Sequence, residues 1–251
     1  VTLIQRTTRK LHITPAGHAY FARCMRGLAE IETAEAEIFS ETTEPRGILK
    51  ITVPGDVAHS VLPPLAARYV RTYPQVKIEM IVANRVVDLV GEGVDLAIRA
   101  AELKDSTLVA RRFMSVDWGF WASRAYLSER DLPQTPSDLE KHDAVIFSRL
   151  PTPALRLTDT RQKIEIPLTG RIIADDLETV RAFVLQGEGI GALPEFLARE
   201  YAAAGTLVRV LPKWTWTEGA LSFVYPSQPF VPANVRAFID LALASTKHTQ
   251  A

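Results

Sequence analysis

Residues 47–99 read GILKITVPGDVAHSVLPPLAARYVRTYPQVKIEMIVANRVVDLVGEGVDLAIR. Residues 48–53 are a short, mainly apolar run bounded by Gly47 and Pro54, the pattern of a buried strand. A loop at 54–56 leads into a predicted helix that runs to about residue 73. Residues 76–82 form a second strand, 86–92 a short helix and 95–99 a third strand. Strands that alternate with helices build right-handed βαβ units, so the fold class is α/β with a sheet covered on both faces. Open sheets of this kind hold ligands beyond the carboxyl ends of their strands. That rule directs attention to the loops after Val53, Val82, Arg99 and Ile173.

Downstream, strands are predicted at 108–114, 118–122, 144–147, 154–158, 163–168, 171–173, 190–193, 207–210 and 221–225. Helices are predicted at 177–186, 195–203 and 232–243. Gly187, Gly189 and Gly191 (GEGIG) follow a helix and lead into a strand, the reverse of the order in a dinucleotide-binding loop. They read as a helix C-terminus and tight turn, with Pro194 opening the next helix.

Upstream the pattern differs. Thr14 can cap a helix whose first position is Pro15 and whose helix formers continue to about residue 42. Its apolar positions Phe21, Cys24, Leu28, Ile31 and Ile38 follow a 3,4 alternation broken by Glu35, which predicts a seam for a second helix. Residues 1–5 and 11–14 read as two short strands around a basic turn at 6–10, like a DNA-binding wing. Residues 1–26 carry Arg6, Arg9, Lys10, Arg23 and Arg26 and no acid, a footprint that attracts phosphate. Residues 27–45 then carry six glutamates and no Lys or Arg.

These local blocks cancel in a chain of 251 residues with 29 Lys plus Arg, 29 Asp plus Glu and 47% apolar residues. That composition is globular, and a single cysteine excludes an intramolecular disulfide and any zinc site built from several cysteines. No apolar run approaches the ~20 residues of a membrane span, and the first ten residues lack a signal peptide's pattern, so the expected location is cytoplasmic. No nucleophile elbow, Walker loop or paired-histidine motif is present, and His12, His18, His59, His142 and His248 are scattered. The reading is therefore of a protein that is not an enzyme and uses no metal or cofactor. The loop of Pro54, Gly55 and Asp56 delivers the backbone N–H groups of a helix start, with Asp56 also a candidate cap. Arg99 ends a strand, and Asp175 and Asp176 open the helix near Leu177. If Asp56 and Asp175 face one pocket, their charge counts against a purely anionic ligand.

With these residues in place, the whole chain resembles the LysR-type transcriptional regulators, in particular their CrgA-like branch. The likeness is carried in order by QRTTRKLHITPAGHAYFARC, RGILKITVPGDVAHSVLPPL, VVDLVGEGVDLAIRAAELKDSTLVARRF, WASRAYLSERDLPQTPSDLEKHD and GEGIGALPEFLAREYAAAGTLVRVLPKW. It implies an effector domain with the fold of type 2 periplasmic binding proteins, whose two subdomains hold a small-molecule inducer in a cleft. The wing remnant would take residues 1–14, a dimerising linker helix 15–45 and the effector domain 47–251. Subdomain I would span 47–121 and 224–251, and subdomain II 122–223. The inducer contacts implied are Pro54, Gly55, Asp56, Val57, Asn84, Arg85, Arg99, Ala101, Ser123, Asp175 and Asp176.

Asp56 stands where the family usually has Ser or Thr, Ala101 where Gly is usual and Asp175 where Asn is usual. These departures bear on the inducer's class. The absence of cysteine after Cys24 excludes the family's peroxide-sensing mechanism. Arg6, Thr7, Thr8, Arg9 and Lys10 would touch promoter DNA, with the base-reading helix-turn-helix expected upstream of Val1 and DNA binding by these residues alone expected to be weak. The partners implied are promoter DNA, a small-molecule inducer and further copies of the chain in a homodimer or homotetramer, with no membrane. The alternative is a solute-binding protein of the same fold, which gains nothing from the basic wing or the long helix.

Overall fold

A computed structural model describes residues 1–6, 11–39, 44–100, 107–150, 154–157, 163–165, 169–228 and 230–247. In chain order the elements begin with strands β1 (Ile4–Arg6) and β2 (Leu11–Ile13) and helix α1 (Pro15–Phe39). Next come β3 (Gly47–Val53), α2 (Gly55–His59), α3 (Leu62–Thr72), β4 (Val76–Val82), β5 (Leu96–Arg99) and β6 (Leu108–Ser123). Then follow α4 (Arg124–Ser128), a 3₁₀ turn (Pro136–Lys141), β7 (Ala144–Phe147), β8 (Ala154–Leu157), β9 (Lys163–Glu165) and β10 (Ile172–Ala174). The chain continues with α5 (Leu177–Gln186), β11 (Ile190–Pro194), α6 (Glu195–Ala203), β12 (Leu207–Val210), β13 (Trp214–Pro226) and α7 (Ala233–Lys247). Two compact units emerge. The first holds Val1–Val53, Pro64–Phe113 and Ser222–Ala251, the second Pro54–Pro63 and Met114–Leu221.

In the first unit β4, β3 and β5 run parallel, with β3 and β4 in register from Gly47 opposite Val76 to Val53 opposite Val82. Residues 222–224 of β13 add an antiparallel partner to β5. Leu49, Ile51 and Phe223 from these strands and Tyr69 and Phe238 from α3 and α7 have no accessible surface. The Tyr69 and Phe238 rings meet edge to face at 5.2 Å, and the Tyr69 hydroxyl donates to the Asn234 carbonyl at 2.7 Å. At the other end β1 pairs with β2, and the Thr14 hydroxyl accepts the Gly17 N–H at 3.0 Å, the cap expected from its place before Pro15.

The second unit has the order β10, β7, β11, β6, with the first three parallel and β6 antiparallel, and β12 pairs with β6 as well. Trp118, Phe120 and Trp216 form its aromatic core, with ring centroids 5.1 Å apart for Phe120 and Trp216. Gly187 ends α5 in the left-handed conformation at φ 86°, as the glycine-rich stretch suggested.

Several elements differ from the sequence reading. The helix expected to run to residue 73 is two helices, because Pro63 and Pro64 lack N–H donors and suit a first turn. The Ser60 hydroxyl, donating to the Asp56 carbonyl, lies at the break. The short helix expected at 86–92 is a series of turns in which Asp88 accepts the Gly91 N–H at 3.0 Å while Val87, Leu89 and Val94 are buried. The two strands expected at 108–114 and 118–122 are one, β6, since Asp117 lies on an exposed position and accepts the Thr217 hydroxyl at 2.6 Å. The strand expected at 221–225 begins at Trp214. The expected ends at 158 and 166–168, and residues 40–42 of the long helix, lie outside the described residues.

A polar cluster in the second unit joins α4 to the start of β7. The Tyr126 hydroxyl accepts the Asp143 N–H at 3.0 Å and lies 3.2 Å from His142 Nδ1, with the Arg130 guanidinium 4.3 Å above the tyrosine ring. Burial first, and then Arg130, hold the His142 pKa below its ordinary value, against the opposing pull of Asp138, Asp131 and Asp143.

Two outcomes follow from this packing. Phe238→Ala should cost about 3–5 kcal/mol in urea unfolding, against about 1 kcal/mol for Tyr69→Phe, which loses one hydrogen bond and no ring. Because the folded state disfavours protonated His142, the unfolded chain binds the proton first. Stability therefore falls as pH drops below about 6.5 and stops falling once the folded-state pKa is passed. Melting temperatures at pH 7.5 and 5.5 should differ less in His142→Gln than in the parent, and equal differences would contradict the assignment.

Candidate functional site

Helix α2 starts directly after β3, with Pro54 as an N-cap that offers no side-chain acceptor. Gly55 is buried, and a Cβ there would stand 3.8 Å from both Asp176 Oδ1 and Glu178 Cγ. The first turn of α2 thus lies against the first turn of α5. Asp176 caps α5, its Oδ2 accepting the Thr179 N–H and hydroxyl, both at 2.8 Å.

Three carboxylates gather at these two helix starts. Burial is the main force raising the Asp56 pKa; N–H donation from Val57 and Asp56 opposes it, and Glu178 and Asp176 add to it. Burial also raises Glu178, against Arg181 and His59, with Asp176 again adding to the rise. Arg181 pairs with Glu178 Oε2 and lies 4.8 Å from the Tyr201 ring centroid, while His59 Nδ1 stands 3.6 Å from Glu178 Oε1. That Oε1 is buried and accepts no hydrogen bond among the described residues. A buried acceptor without a donor is costly, and a ligand's N–H or O–H would relieve it.

The remaining sequence candidates are placed as follows. Val57 has no accessible surface and its N–H donates to Asp56, so it packs the start of α2 and faces no ligand. Asp175 is 69% exposed in its side chain and pairs with Arg149 at 2.7 Å, so Asp176 and not Asp175 joins Asp56. Ser123 is buried and caps α4, accepting the Tyr126 N–H at 3.1 Å. In the first unit Arg99 donates to the Ala83 carbonyl and to Thr52 Oγ1 (2.9 Å), tying the end of β5 to β3 and the end of β4. Asn84 is exposed, and Arg85 is held by Glu92 through two hydrogen bonds of 2.8 and 2.9 Å. Arg6 ends β1, and Thr7, Thr8, Arg9, Lys10 and Ala101 lie outside the described residues. Sequence reasoning named Asp56 and Asp176 but gave no role to His59, Arg181 or Thr52. The spacing of Glu178 and Arg181, three apart in a helix, was the available signal.

The LysR substrate binding domain profile matches residues 42–247. The HTH-type transcriptional regulator PtxR of Pseudomonas aeruginosa is 33% identical over 241 residues, covering 96% of this chain and 77% of that protein. The chain belongs to the LysR family of transcriptional regulators. The structure of CrgA, a LysR-type regulator from Neisseria meningitidis, superposes with a TM-score of 0.70 at 30% identity, covering 98% of this chain and 84% of that one. The full-length Vibrio cholerae virulence activator AphB does so at 0.68 and 27% identity, covering 97% and 84%. The LysR-family fold thus has the effector-domain character expected from the sequence. Among the described residues no helix is long and apolar enough to cross a membrane, and no group of three His, Cys, Asp or Glu could hold a metal ion.

In this LysR-family site the raised pKa of Asp56 means that folding favours its protonated form, so its contribution to stability is lost as pH rises through the folded value. Asp56→Asn should therefore raise the melting temperature at pH 7, by on the order of 1 kcal/mol of stability, and give little gain at pH 3.5. Differential scanning calorimetry at both pH values checks this; a destabilised D56N at pH 7 would contradict it.

Proposed function

We propose that this LysR-family protein is a ligand-responsive transcription regulator acting in the cytoplasm, not an enzyme, and that its effector is held at the starts of α2 and α5. Pro54 caps the start of α2, whose first turn, Gly55, Asp56 and Val57, brings in the Asp56 carboxylate, and Asp176 and Glu178 supply two more. The observation that carries the reading is the convergence of Asp56, Asp176 and Glu178 in a partly buried place with Arg181 and the His59 ring beside Glu178. Such a site favours a ligand that brings hydrogen-bond donors or positive charge over one that brings carboxylates alone.

The family resemblance supports ligand-holding roles for Asn84, Arg85, Arg99, Ala101, Ser123 and Asp175. Arg6, Thr7, Thr8, Arg9 and Lys10 remain assigned to DNA phosphates, within a wing of residues 1–14. Residues 15–45 form the linker through which copies pair, a role supported by Phe21, Leu28 and Ile31, which are 53%, 55% and 60% exposed on α1. Residues 47–251 form the effector domain. Ligand binding then acts by population shift: a ligand with a hundredfold preference for one state supplies about 2.7 kcal/mol, enough to redirect a near-balanced equilibrium.

Thermal-shift screening tests the ligand class. Amines, polyols and simple carboxylates are compared on the parent chain and on Asp56→Asn, each measured as the shift over its own unliganded melt. A ligand at 100 times its Kd stabilises by about 2.7 kcal/mol. The expected hit is donor-rich or cationic and loses most of its shift in D56N. A hit that is a plain carboxylate and shifts both proteins equally would overturn the reading.

A further inference from the structure

Three N–H donors in the second unit are buried with no acceptor among the described residues: Trp121 Nε1, Arg209 Nε and Arg209 Nη2. Trp121 on β6 is 4% exposed and stands directly opposite Arg209 on β12. Cross-strand partners share a face of the sheet. Here it is the face that Gly191 of β11, the other partner of Trp121, turns toward Val180 and Val184 of α5. The Arg209 guanidinium lies 5.8 Å from the Trp121 ring centroid. Gly119 keeps the strand beside them clear, since a Cβ there would stand 3.1 Å from Trp121 Nε1 and 3.4 Å from Arg209 Nε. Two of the three donors therefore meet over one glycine.

Arg209 pairs through Nη1 with Glu195 at the start of α6. Its Nε and Nη2 lie along another edge of the planar guanidinium, with two N–H bonds side by side, the arrangement that grips an anion. A buried donor left unpaired is costly, and more so on a charged group. Water answers the need poorly, having two lone pairs for three donors and two hydrogens that require acceptors in turn. An anion accepts from all three and donates nothing. The three nitrogens have no surface open to solvent, so the room between them suits a single atom over a polyatomic ion. Glu195 does not bar such an ion, because the guanidinium separates the two charges and the N-terminal dipole of α6 favours negative charge at that end. The Arg209 and Glu195 side chains, 25% and 32% exposed, border solvent and give the ion its way in.

We propose that Trp121 Nε1, Arg209 Nε and Arg209 Nη2 bind a monatomic halide ion, with chloride as the ordinary occupant. The site shares no residue with the carboxylate cluster at the starts of α2 and α5 and does not depend on that reading. Binding ties β12 and the start of α6 to β6, so it stabilises the second unit by an amount that grows with halide concentration.

Crystals of the 251-residue chain grown without halide and soaked in bromide should show an anomalous peak within hydrogen-bonding reach of all three nitrogens. In solution, ³⁵Cl NMR line broadening compares chloride binding by the parent, by Trp121→Phe, which keeps a ring but loses the N–H, and by Arg209→Lys, which keeps the charge but loses the paired edge. Each variant should bind chloride at least about tenfold more weakly than the parent, the loss of a hydrogen bond to a charge. Replacing gluconate by chloride at an ionic strength of about 150 mM should raise the parent's melting temperature and leave that of Trp121→Phe unchanged. No bromide peak at these nitrogens, or chloride binding equal in the parent and both variants, would overturn the proposal. An ordered water in that place without an anomalous signal would overturn it as well, assigning the donors to solvent. The bromide soak needs no variant, so it decides the matter even where a substitution unfolds the chain.

Discussion

Carboxylates brought together away from water repel one another and lose hydration, so their assembly has to be held by the surrounding fold. In the second unit that hold comes from two helix starts. The N–H of Val57 in α2 donates to Asp56, while Asp176 is committed to capping α5 through Thr179. Glu178 pairs with Arg181 on its own helix and lies 3.6 Å from His59 Nδ1 of α2. The result is a place poor in protons and rich in acceptors, and its ligand preference follows from that imbalance.

The two ends of α5 perform different work. Its start presents carboxylates, while its end is fixed by Gly187 and by Gly189, whose φ of 149° and close approach to the Asp143 carbonyl leave no room for a side chain. Asp143 is in turn joined to Tyr126 and Arg130, so the far end of the helix rests on the pH-sensitive polar cluster around His142.

Much of the fold was legible in the sequence because apolar periodicity follows backbone geometry. The strands β3, β4 and β5 and the helices α5 and α6 were visible as runs with clear stops, and Gly187 as a helix end. The errors lay where polar residues served a strand or turn. Asp117 looked like a break in β6 but faces Thr217, and Asp88 looked helical but stabilises a turn through the Gly91 N–H. At the site, residue type identified Asp56 and Asp176, but the choice between Asp175 and Asp176 depended on which carboxylate capped α5 and which faced Arg149. Neighbouring residues differ there by backbone direction, which sequence does not carry. Arg99 was flagged as a ligand contact, and the structure adds that it ties three strand ends together.

The most direct measurement is carboxyl titration of the ¹³C-labelled chain by NMR, with Asp56 and Glu178 assigned by substitution. The account predicts that both titrate above the ordinary values of about 3.9 for Asp and about 4.3 for Glu, and that Asp56→Asn lowers the Glu178 value by removing a neighbouring negative charge. Titration of both groups at or below those ordinary values, with Glu178 indifferent to Asp56, would contradict it.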